Sequence, residues 1–90
     1  MAKPLSPKAL KTLQDAAAYV GDERRKGTPS RAIIIGMVQH FRARWWDAEY
    51  AGHKLRCGGV TASCTTSADE GLLNAWNRLA TVRLGLEAMQ

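Results

Sequence analysis

The sequence is short of the residues that usually announce a chemistry. It has only two cysteines, Cys57 and Cys64, and two histidines, His40 and His53. Structural zinc sites take ligands in pairs roughly two to four residues apart. No pair of the Cys-x2-Cys kind exists here, so no metal site is expected and no cofactor is implied. A Cys57–Cys64 disulfide is also disfavoured. A hairpin turning at Gly58-Gly59 would set Cys57 opposite Val60 and Cys64 opposite His53, so free thiols in a reducing compartment are the expectation. The glycines of CGGVTAS lack the Lys-Ser/Thr ending of a phosphate-binding loop. No local pattern gathers a nucleophile, a base and an orienting acid, so no residue is assigned a catalytic role and the chain is not expected to be an enzyme.

Long apolar runs are missing too. The longest uncharged stretch, Ala32 to Phe41, contains Gln39 and His40 and is too short to span a bilayer. The opening MAKPLSPKALK lacks the apolar run and small-residue cleavage site of a signal peptide. A cytoplasmic location without a membrane partner is therefore the expectation, and no internal repeat or low-complexity tract is visible. Acids are scarce: 8 Asp and Glu stand against 13 Lys and Arg, a formal charge of +5. That excess favours nucleic acid or an acidic protein surface as a partner. The 90 residues make one domain, 1–90, with a modest core.

What is present reads as helix. In LSPKALKTLQDAAAYV, Ser6 can cap, Pro7 suits the first helical position, and Leu5 can staple onto Leu10. Leu10, Leu13, Ala17 and Val20 follow at helical spacing, and the cations of DERRKG suit a helix end before Gly27. Thr28 and Pro29 repeat the start signal, and no helix breaker intervenes before Gly52, so a long second helix is expected. Gly36 within it suggests close approach by another helix. HKLRCGGVTASCTTS breaks the pattern and reads as a loop or a tight hairpin. Ser67 and Glu70 then stand at capping-box spacing, and Leu72, Trp76, Leu79 and Leu86 mark one face of a last helix. The expected fold is an all-α, three-helix bundle-like domain, with helices at about 6–25, 28–52 and 67–88 and a Gly-rich loop or small hairpin between the second and third.

FRARWWDAEY sharpens the functional question, because adjacent tryptophans on a helix point about 100° apart. Ile34, Val38, Phe41, Trp45, Ala48 and Gly52 would form the core stripe. Gln39, Arg42, Trp46 and Tyr50 would lie beside it, an Arg/Trp/Tyr helix face of the composition common at binding hot spots. The expected function is thus a non-catalytic adaptor, regulator or inhibitor docking on a protein or nucleoprotein assembly through that face. The alternative is a DNA-binding regulator, acting as a homodimer, in which Arg24, Arg25, Lys26, Ser30 and Arg31 meet nucleic acid at the start of the helix after Gly27.

Overall fold

The computed structural model describes residues 5–47, 52–64 and 69–88. In chain order these form α1 (Pro7–Arg25), α2 (Ser30–Phe41), β1 (Arg44–Asp47), β2 (His53–Cys57), β3 (Val60–Cys64) and α3 (Asp69–Ala88). The three strands make one antiparallel sheet in the order β1-β2-β3. The fold is therefore α+β, and the expectation of an all-α helical bundle is corrected.

α1 begins where its capping residues indicate. Ser6 is extended, its hydroxyl oxygen accepts a hydrogen bond from the Ala9 N–H at 3.1 Å, and Pro7 follows in the first turn. The helix ends in a Schellman motif. Gly27 takes φ +82°, its N–H donates to Arg24 O at 3.0 Å, and the Thr28 N–H donates to Glu23 O at 3.0 Å. Thr28 thus closes α1 and does not cap α2. Its hydroxyl turns back to Glu23 Oε1 at 3.4 Å, and Pro29 stands at the N-cap of α2 without a side-chain cap bond.

α2 stops far short of the expected helix at 28–52. After Phe41, Arg42 adopts the left-handed conformation (φ 57°, ψ 34°) and its N–H caps Met37 O. The Ala43 N–H donates to the same carbonyl at 3.2 Å, and the chain turns into β1. The physical reason lies in β1, which pairs with β2 and carries Trp45 and Trp46. A helix directs consecutive tryptophans to adjoining parts of one surface, whereas a strand sends them to opposite sides of a sheet. The buried face of α2 is accordingly Ile33, Ile34, Gly36 and Met37. Val38, expected in the core, is exposed. Gly36 does accept a close neighbour, since a Cβ there would run into the Tyr19 ring of α1.

β2 and β3 form the hairpin. Gly58 (φ +59°) and Gly59 (φ +81°) supply the two left-handed positions of a two-residue turn, and Cys57 pairs with Val60, Leu55 with Ala62 and His53 with Cys64. Trp45 of β1 pairs with Leu55. One side of the sheet therefore carries Trp45, Leu55, Cys57, Val60 and Ala62 onto Leu13, Ala16 and Val20 of α1, the buried face of α2, and Leu72, Leu73, Trp76 and Ala80 of α3. Trp76 is fully buried, and its indole N–H donates to Cys57 O at 3.4 Å, joining α3 to the end of β2. The expected α3 stripe is only half right, because Leu79 and Leu86 are 43% and 52% exposed. The two ends of the described chain meet at Glu87, whose Oε1 accepts from the Leu5 N–H at 3.0 Å and faces Arg83 Nε at 3.2 Å.

The hairpin turn lies against α1. A Cβ on Gly58 would sit 2.7 Å from the Leu13 Cα, and neither backbone can yield without moving an element. Gly58→Ala should therefore cost about 2 to 4 kcal/mol, combining the left-handed penalty with the clash. Gly21→Ala, in α1 with nothing near its Cβ, should stabilise by roughly 0.5 to 1 kcal/mol. Urea melts of the two variants check both signs.

Candidate functional site

The side of the sheet away from the helices is set by alternation. β1 presents Arg44 and Trp46, β2 presents Lys54 and Arg56, and β3 presents Thr61 and Ser63. The register arranges these into two rows across the strands. One row runs Arg44, Arg56, Thr61 and the other Trp46, Lys54, Ser63. Arg44, Arg56, Thr61 and Ser63 are exposed, while Trp46 and Lys54 are half-buried. The face thus holds three cations, two hydroxyls and one indole, with no acid among the described residues.

The Arg44 guanidinium lies over the Trp46 ring, 5.4 Å from its centroid. On the opposite side of the sheet Arg31 lies over Trp45 at 5.2 Å, so each tryptophan has its own cation. Trp45 packs against the core and Trp46 faces outward. That division gives the paired tryptophans separate tasks, one in packing and one at the surface.

The helical face expected to unite Gln39, Arg42, Trp46 and Tyr50 does not form, because α2 ends at Phe41. Gln39 is exposed on α2. Arg42 lines a shallow cleft with Lys8, Thr12, Asp15, His40 and Phe41. Trp46 sits on the sheet beneath Arg44, and Tyr50 lies outside the described residues. Of the three that are described, only Trp46 belongs to the sheet face. Arg44, Lys54 and Arg56 were missed, and their signal was available: once a hairpin at Gly58-Gly59 is accepted, strand alternation puts Lys54 and Arg56 on the side away from Leu55 and Cys57.

The residues around the α1–α2 turn are engaged within the molecule. Arg24 bonds Asn74 through its guanidinium, Arg25 pairs with Asp22, and Lys26 pairs with Glu23 at 3.0 Å. The hydrogen bond that Lys26 donates to the Glu23 carboxylate raises the Lys26 ammonium above its usual 10.5. Arg31 pairs with Asp69 at 3.6 Å, and Ser30 opens α2 half-buried. By contrast, Arg44, Lys54 and Arg56 form no ion pair with any acid among the described residues.

Cys57 and Cys64 form no disulfide with each other, and Cys57 is buried and Cys64 half-buried. Among the described residues no group of His, Cys, Asp and Glu is placed to hold a metal ion, and no helix is long and apolar enough to cross a membrane. No family model matches the chain, and no curated protein or solved structure is significantly similar to it.

Two outcomes are expected. Trp76→Ala should cost about 3 to 5 kcal/mol in urea melts and Trp46→Ala about 1 kcal/mol, since only the first ring is enclosed. Burial also pushes the Cys57 thiol from 9.0 to about 11. The folded state then holds this proton more tightly than the unfolded chain. Its contribution is complete below about pH 9 and declines as pH rises towards about 11. The melting temperature should fall across that window, and Cys57→Ala should flatten the fall.

Proposed function

We propose that the chain is a small non-catalytic binding domain that docks on a nucleoprotein assembly by holding nucleic acid on the outward face of its sheet. The observation that carries this reading is the grouping of Arg44, Lys54 and Arg56 around Trp46, with no acid on that face and no ion pair to the three cations among the described residues. Lys and Arg displace counterions from phosphates, and an outward indole adds apolar contact where water would otherwise remain. Two cysteines that form no disulfide with each other suit a reducing cytoplasm.

The alternative contact, at the start of α2 in a DNA-binding regulator, has less support. Arg24, Arg25, Lys26 and Arg31 are already engaged by Asn74, Asp22, Glu23 and Asp69, so nucleic acid would have to displace those partners. α2 itself turns Ile33, Ile34 and Met37 into the core.

A protein contact within the same assembly has its own observation. Leu79, Val82 and Leu86 recur along one side of α3 and are 43%, 55% and 52% exposed. With Gly59, Val60, Thr61 and Arg83 they line an open groove beside β3. Exposed apolar clusters of this kind mark contacts with other chains, a second copy included.

Retention of DNA or RNA should fall steeply with salt, with a log–log slope of about −2 to −3 for three phosphate contacts. Joint replacement of Arg44 and Arg56 by Ala should reduce that slope by about 1.5, while joint replacement of Arg24 and Arg25 should leave affinity within about twofold. Fluorescence anisotropy across a salt series measures both. Absence of binding to any nucleic acid at low salt defeats the reading.

A further inference from the structure

The outward sheet face also specifies which form of nucleic acid fits it. Resting on the reading above, we propose that it binds a single strand, with one base stacked on Trp46 in the place the Arg44 guanidinium now occupies and the flanking phosphates held by Arg44, Lys54 and Arg56.

The Arg44–Trp46 contact is the first reason. A guanidinium is planar and cationic, and it lies over the ring at 5.4 Å from the centroid, so a face of the indole is open to a flat group approaching from outside the sheet. In a duplex the base faces are stacked on one another and only their edges are offered in the grooves. A single strand presents the faces themselves, and a base on an aromatic ring is the recurrent mode of its recognition.

The surroundings of the ring are the second reason. Lys54 and Ser63 follow Trp46 across its row, and Arg56 and Thr61 follow Arg44 across the other. Cations therefore lie in both rows, on two neighbouring strands, within one or two residues of the ring. The β3 positions carry only small hydroxyl side chains, so the floor of the face drops away from the indole, leaving room for a sugar and a second base. Three strands at the usual spacing make a surface about 10 Å wide, so only a short run of nucleotides lies on it at once. Charge complementarity is one-sided, since no described acid shares the face with the three cations.

A base arriving on Trp46 displaces the Arg44 side chain but does not remove it, because the guanidinium remains free to swing to an adjacent phosphate. Arg44 thus covers the ring in the free protein and contributes charge in the complex. The exchange replaces one planar contact on the indole by another and adds an ion pair.

The test uses the whole chain with fluorescein-labelled oligothymidylate and oligouridylate of about ten nucleotides, a duplex of equal length, an abasic oligonucleotide and a polyglutamate peptide, at about 50 mM salt. Both single strands should bind at least tenfold tighter than the duplex. Trp46→Ala should weaken single-strand binding about tenfold at every salt concentration without changing the salt slope, and Trp46→Phe should retain most of the affinity. Wild-type protein should bind the abasic strand about as weakly as the Trp46→Ala variant binds the intact one, and should show tryptophan quenching with the intact strand only. The wild-type arms decide the matter even if the Ala variant fails to fold. Duplex binding as tight as single-strand binding, or equal affinity for intact and abasic strands, overturns the single-strand assignment while leaving the nucleic-acid reading in place. Polyglutamate competing as well as the oligonucleotide, or no binding to any nucleic acid, overturns both.

Discussion

The contact between the Gly58 turn and the Leu13 backbone is the constraint from which the faces of the sheet follow. Gly58 can approach α1 so closely only because it has no Cβ, and its positive φ makes the two-residue turn that sets Cys57 against Val60. A slip of one residue in that register would exchange every inward side chain for an outward one. Leu55, Cys57 and Ala62 would then meet solvent, and Lys54 and Arg56 would face a core that holds no buried polar or charged side chain among the described residues. Burying even one of those charges costs far more than a marginally stable domain of this size can tolerate. The turn, the core and the basic face are thus consequences of a single pairing.

That pairing also separates the charges of the molecule into two populations. Cations near the end of α1 have acids or an amide within reach on their own helix or on α3, and the dipole at the helix C-terminus favours them further. These are largely balanced inside the fold and contribute little to long-range attraction. The sheet cations lie on a surface without described acids, so a disproportionate part of the +5 formal charge is felt on that side. A residue count gives the same weight to both groups. Only the geometry shows that their roles differ.

Some of this was legible from residue types alone. Ser6 followed by Pro7 marks the start of α1 because the hydroxyl and the missing N–H both answer to local backbone needs, which tertiary structure does not override. The hairpin pairing of Cys57 with Val60 and His53 with Cys64 was one of two stated options and followed from the Gly-Gly turn. The end of α2 was not legible. Arg42 is neither Gly nor Asn, the residues that usually mark a left-handed cap, so no local signal breaks the helical pattern before Trp45. The stop is imposed from a distance by the β2–β3 hairpin, whose edge offers β1 its hydrogen bonds. With the helix cut short, the stripe that joined Gln39, Arg42, Trp46 and Tyr50 lost its geometric basis, and the functional weight passed to residues whose significance depends on strand alternation.

Thr61 connects the two surfaces that the fold leaves open. It ends the row that begins with Arg44, and it also lines the groove formed with Leu79, Val82 and Leu86 of α3. The basic face and the apolar groove therefore meet along β3, an edge strand whose outer backbone groups are not paired within the sheet. On the proposed reading a nucleic acid would use the first surface through charge and stacking and an apolar protein segment the second through burial, with Thr61 common to both. Arg83 at the groove is tied to Glu87, which in turn holds the Leu5 N–H, so that corner of the molecule is braced by contacts between the two ends of the described chain. A braced groove can take a partner without first ordering its own walls, which lowers the entropic cost of association. The same separation divides the fold: the helices and the inward side of the sheet supply the core, and the outward side of the sheet and the flank of α3 stay exposed among the described residues.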